Sequence, residues 1–179
     1  MTNPVLCEHT PQSPGVMAAK GFSLCVAEEL ESPIPKLATM LGYFEQKTQG
    51  ERLPCRADIV PAEITQALPE VAILSLGYDE GALVDIVVQL MGTTLTDYYG
   101  EHTGRSISAF GDTGIADRIF AACTYCLAQR QAVVSSAEAL SEERPYMRVR
   151  ALMVPLSEDG THIDRIFAYV LLRRKSLGG

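Results

Sequence analysis

Cys123 and Cys126, three apart in the run CTYC, are the first residues whose types and spacing can do chemistry. On a helix they share a face. Such a pair serves as a dithiol, as half of a zinc site, or as two small apolar side chains in a helix core. Zinc takes four ligands, and only His102, His162 and Cys55 are placed to complete a set. Acyl-transfer chemistry needs a nucleophile and a base brought together in space. No GxSxG, P-loop, HExxH or GxGxxG pattern accompanies the three histidines. The chain therefore reads as a non-enzyme, with a small metal- or thiol-dependent enzyme as the remote alternative.

The residues suited to binding are different ones. Tyr98, Tyr99, Tyr125 and Tyr146 each join a large apolar ring to one polar tip. In a pocket they stack on a ligand or hydrogen-bond to it; otherwise they are core and rim aromatics. Arg148 and Arg150 alternate with Met147 and Val149 and so share a strand face with Tyr146. On an open face they are solvated, and on an inner face they form a fork for a carboxylate or phosphate. His102, beside Glu101, lies in a polar Gly-rich connection as a solvated side chain or a ligand contact. Tyr98, Tyr99, His102, Cys123, Tyr125, Tyr146 and Arg148 are the candidate ligand-binding residues.

The elements that must position them follow from periodicity. Leu37, Met40, Leu41 and Phe44 make one apolar stripe of a helix, which packs on its own domain or on a second subunit. Val71–Leu76 is a strand, YDEG a tight reversal, and Val84–Leu90 a second strand. Gly92 ends it, and Thr93 or Thr94 caps a short helix to Tyr99. Asp112 or Thr113 opens a longer helix to about Gln131, with Ile115, Ile119, Ala122 and Cys126 on its inner line. Three more strands, Ala132–Ala139, Pro145–Leu156 and His162–Leu172, bring the count to five.

Composition bounds the rest. The 179 residues are 47% hydrophobic with a net charge of −7, enough for a full core and the wrong sign for nonspecific nucleic-acid binding. Apolar runs fall short of the roughly 20 residues a membrane span needs. Phe22–Ala27 is too short for a signal core and is followed by Glu28 and Glu29. Five cysteines without framework spacing suggest reduced thiols in a cytoplasm. Neither nucleic acid nor membrane is expected as a partner.

Several short motifs then fall in order: Leu53-Pro54 with Arg56, Asp58 and Pro61; Leu68-Pro69 before the first strand; Gly92-Thr93 after the second; and Pro155-Leu156 with Asp159-Gly160 in a late hairpin. Together with Tyr99-Gly100 and Thr103-Gly104-Arg105, this set resembles the alphaproteobacterial PAS-like domain family over roughly 53–172. Gln89 stands where that family carries an Arg ahead of its GT. The resemblance implies an α+β fold, a five-stranded antiparallel sheet packed on short helices, in a stand-alone sensory protein without established catalytic residues. The chain then divides into a flexible tail over 1–21, an N-terminal helical extension over 22–52, a PAS-like domain over 53–173 and a C-terminal tail over 174–179.

As a cofactor none is expected. Haem would call for a His on the long helix, and there is none from Ile115 to Gln131; the flavin-binding relatives' Asn-Cys-Arg motif is absent too. The expectation is a signalling module that binds an unknown small molecule between the long helix and the sheet, with output through the Leu37–Phe44 helix to a homodimer or partner protein. The alternative is an interaction adaptor with a filled core that docks through its outer sheet face.

Overall fold

The computed structural model describes residues 17–19, 21–30 and 32–176. Residues 1–16 of the expected tail, and 177–179 at the other end, lie outside them. The elements are β1 (Met17–Ala19), β2 (Phe22–Val26), α1 (Pro35–Thr48), β3 (Val71–Asp79), β4 (Ala82–Met91), α2 (Thr93–Tyr99), α3 (Thr113–Gln129), β5 (Val133–Ala137), β6 (Met147–Leu156) and β7 (Arg165–Arg174). The strands form one antiparallel sheet in the order β1-β2-β5-β6-β7-β3-β4.

Two strands more than expected are therefore present, and both lie in the first part of the chain. Phe22–Val26 is not helical; it pairs along β5, from Phe22 opposite Ala137 to Val26 opposite Val133. Its period-two pattern buries Leu24 in the inner core and turns Cys25 toward the outer one. Only Pro35–Thr48 of the expected helical extension is α-helix. Pro35 sits at its first turn, where a missing amide costs nothing, and Gln49 closes it in the left-handed conformation.

The β3–β4 hairpin is built as its sequence predicts. Both central residues of its turn, Glu80 and Gly81, have positive φ, 47° and 83°, which is the two-residue geometry that matches strand twist. At the far end of β4 the chain turns at Gly92 into α2. A side chain there would run into the carbonyl oxygens of Leu68 and Pro69, so the position needs glycine for the approach rather than for its φ. No threonine side chain caps α2; the cap is Gly92 itself, and Thr96 Oγ1 donates back to its carbonyl at 3.1 Å. Asp112 does cap α3, accepting from the Ile115 amide at 3.2 Å.

Both faces of the sheet are covered, so the central strands read as nearly continuous apolar runs. α2 and α3 pack on the inner face, and α1 packs on the outer one. Leu37, Met40 and Phe44 carry the α1 contact, with the Phe44 ring edge-on to Phe167 at 4.9 Å between centroids. α1 thus packs on its own sheet and covers part of the outer face.

The ordered motifs turn out to be joints of this frame. Asp58 accepts two hydrogen bonds from Arg52, at 2.7 and 2.8 Å, and one from the Cys55 amide at 2.8 Å. The Pro54 carbonyl accepts from Ser157 N at 2.9 Å, tying this lead-in to the end of β6. Asp159 accepts from the amides of Thr161 and His162 at 2.8 and 2.7 Å, which holds the β6–β7 turn and delays β7 to Arg165. Gly104 and Arg105 close over the edge of β4 through backbone bonds to Val88 of 2.7 and 2.9 Å.

Two predictions follow from this frame. Truncating Phe44 to Ala should cost about 3–5 kcal/mol of unfolding free energy, independent of protein concentration, whereas Glu45→Ala should be near neutral. A loss that vanished on dilution would place α1 against a second subunit instead. The Arg52 guanidinium beside Asp58 holds its carboxyl well below the ordinary 3.8. A depressed folded value means stabilisation that is present above about pH 4 and lost as the pH falls through the folded value. Asp58→Asn should therefore be less stable at neutral pH, and its deficit should shrink between about pH 4 and pH 2. Denaturant titrations at several pH values read this directly, and a pH-independent deficit would contradict it.

Candidate functional site

The inner face of the sheet is not flat. Along β6, residues Val149, Ala151 and Met153 face inward, and along β7 Ala168 and Val170 do so. Ala168 stands opposite Ala72 of β3 on one side and Met153 of β6 on the other; Ala151 stands opposite Ser135 of β5 and Val170 of β7. Small side chains therefore meet across four neighbouring strands, and the floor recedes there. α3 bridges this recess with Ile115, Arg118, Ile119 and Ala122, one helix face at steps of three and four. Leu95 and Tyr99 of α2, with Phe110, close one end.

The result is a mostly apolar cavity of about 90 Å³. For scale, an apolar cavity of about 150 Å³ takes up benzene. The side chains with polar groups on its wall are Tyr99, Arg118 and Ser135. Burial pushes the Tyr99 phenol up, and the positive charge of Arg118 opposes that shift only in part. The phenol is thus a donor throughout the neutral range. Arg118 donates through Nη2 to the carbonyl oxygen of Leu140. Among the described residues it makes no ion pair.

Of the expected ligand contacts, Tyr99 lines the cavity and the rest do not. His102 stands one layer behind, its ring stacked on Phe110 at 4.0 Å between centroids. Its Nε2 lies 2.9 Å from the Tyr99 carbonyl, which can only accept, so Nε2 carries the hydrogen. His102 Nδ1 is buried and has no partner among the described residues. Tyr98 lies at the core margin beneath the Arg144 guanidinium, 5.7 Å from the ring centroid. Cys123 is wholly buried in the inner core beside the cavity, and burial pushes its thiol, like that of Cys126, upward. Both act as packing atoms. Among the described residues no three His, Cys, Asp or Glu side chains gather where they can share a metal ion.

Three further candidates are displaced for clear reasons. The Tyr125 hydroxyl is buried without a partner among the described residues, away from the cavity; burial, then Glu29 and Cys25, push its phenol up. Tyr146 precedes β6, is 47% exposed, and lies under the Arg174 guanidinium. Arg148 falls on the parity of β6 opposite to Ala151, so it points away from the cavity. It pairs with Glu138 at 3.1 Å, as Arg150 does at 2.8 Å, so the expected fork grips a carboxylate of its own chain. Arg118 is the residue that sequence reasoning missed. Its signal was present: it sits three after Ile115 and four before Ala122, on the helix line taken as apolar.

Comparison with known proteins bears on the frame more than on the cavity. No curated protein matches this chain. Three chains among solved structures match. One is an RNA-binding light-oxygen-voltage receptor, 14% identical, with 64% of this chain and 33% of that one covered and a TM-score of 0.36. So loose a superposition assigns neither ligand nor partner, and this chain spans about a third of that receptor's length. Among the described residues no helix is long and apolar enough to cross a membrane. The family model described as PAS domain matches residues 34–171, which takes in α1 as well as the sheet from β3 to β7. With its antiparallel sheet wrapped over α2 and α3, this chain belongs to the PAS domain family.

Proposed function

We propose that this PAS domain is a non-enzymatic sensory module that binds a small molecule in the cavity between α3 and the inner sheet face. The observation that carries the reading is the recess itself. Five alanines, Ala72, Ala122, Ala137, Ala151 and Ala168, line a core space that larger side chains would fill, and a few polar groups converge on it. A close-packed interior gains nothing by leaving such room. Its size suits a ligand of roughly four to six non-hydrogen atoms.

Output is assigned to α1, through dimer or partner contacts. Ala151 and Met153 face the cavity while Leu152 and Val154, between and beside them, face α1. Ala168 faces the cavity between Phe167 and Tyr169, which face α1, and Phe167 is the ring that meets Phe44. A single peptide link separates ligand wall from helix contact, so a ligand that shifts β6 or β7 changes the surface on which α1 rests. Such a shift requires different affinities for two arrangements of these strands. The cavity weighs against the adaptor with a filled core, and α1 covers part of the face that adaptor would use.

Thermal unfolding with a panel of small compounds of roughly four to six non-hydrogen atoms tests this. At least one compound should raise the Tm of the native chain. Ala168→Leu, which fills the recess, should keep or gain about 0.5–2 kcal/mol of intrinsic stability and lose that response. Equal responses in both proteins, or none in either, would overturn the cavity as the binding site.

A further inference from the structure

The ligand class follows from the charge on the cavity wall. Arg118 brings a guanidinium to a space otherwise lined almost entirely by apolar side chains. One of its nitrogens is satisfied by the Leu140 carbonyl, a neutral acceptor that leaves the charge uncompensated. Among the described residues no carboxylate lies within ion-pair distance. Arg118 is half-buried, and an anion seated in the apolar recess beside it would gain a direct counter-charge that the chain itself does not supply. The guanidinium fork fits a planar carboxylate through paired, charge-assisted hydrogen bonds.

The remaining wall narrows the class further. Tyr99 offers a second donor, a hydroxyl, near enough for the Arg118 charge to act on it. Away from that pair the floor is Ala72, Ala151 and Ala168 with the neutral Ser135 opposite Ala151, which accommodates methyl and methylene groups but supplies no counter-charge to a second carboxylate. A volume of about 90 Å³ leaves no room for an aromatic nucleus plus a head group.

We propose that the ligand is a short-chain aliphatic monocarboxylate, held by Arg118 and Tyr99 through its carboxylate and by the alanine floor through its alkyl chain. This rests on the cavity being a ligand site at all. Dicarboxylates are disfavoured because the second charge would be buried without a partner.

The test compares butyrate with butyramide, its neutral match in shape, by calorimetry and thermal unfolding of the full chain at neutral pH. Butyrate should bind at least tenfold more tightly than butyramide, and affinity should peak between acetate and hexanoate. Arg118→Gln, which can still donate to the Leu140 carbonyl, should erase the preference for butyrate and bring the butyrate to butyramide affinity ratio near one. Should that variant fail to fold, the butyrate to butyramide ratio in the native chain decides alone. Butyramide binding as tightly as butyrate would overturn the carboxylate and leave the cavity reading intact. If neither binds, and xenon does not enter either, both readings fall.

Discussion

The structure depends on an inequality between the two faces of one set of strands. On β3, β6 and β7 the residues of one parity are large: Val71, Ile73, Leu152, Val154, Phe167 and Tyr169. Those of the other parity, such as Leu74, Val149, Met153 and Ile166, are interrupted at Ala72, Ala151 and Ala168, where the floor recedes. Side chains alternate along a regular strand, so each peptide there commits one neighbour to each face. The large set forms a dense layer that can hold only a helix with matching bulk, and α1 answers with Leu37, Met40 and Phe44. The small set leaves space, and α3 spans it without filling it. A register slip of one residue would exchange the two faces and destroy both arrangements.

That inequality explains why so much of the frame was legible in the sequence and so little of the site. Period-two runs bounded by YDEG and by Asp159-Gly160 announce hairpins, and period-3.6 stripes announce α1 and α3. Phe22–Val26 escaped because five residues beside an edge carry too little pattern to tell a strand from a lead-in. The candidate site required knowing which parity faces the helices. With both faces apolar, the usual contrast between wet and dry sides is lost, and Arg148 fell on the wrong one. Arg118 was hidden by an opposite habit. A lone arginine in a helix is normally read as solvated, whereas its spacing from Ile115 and Ala122 puts it on the inner line. Tyr99 was named with three other tyrosines for its apolar ring and single polar tip, and of those four it is the one that lines the cavity.

The residues of the ordered motifs and the residues that line the cavity overlap at Tyr99 and otherwise lie apart. Asp58 and Arg52 fasten the lead-in, Gly92 admits the Leu68 and Pro69 carbonyls, and Asp159 organises a turn. These residues hold the lead-in, the exit from β4 and the β6–β7 turn. Arg118 and the alanines make no such joint, and it is they, with Tyr99, that would set what the cavity accepts. Membership of the PAS family therefore gives the architecture, while the chemistry of this chain has to be read from its own cavity wall.

The central claim is that the recess beneath α3 is a real and accessible space. Alanine methyl groups form part of its wall, so 13C-methyl alanine NMR under xenon pressure reports on it directly. The account predicts that the methyls of Ala72, Ala122, Ala137, Ala151 and Ala168 shift with xenon. Those of Ala38 on α1 and Ala67 in the outer core should stay in place. Shifts confined to other alanines, or none at all, would mean that the core is filled and the account of this domain as a ligand sensor is wrong.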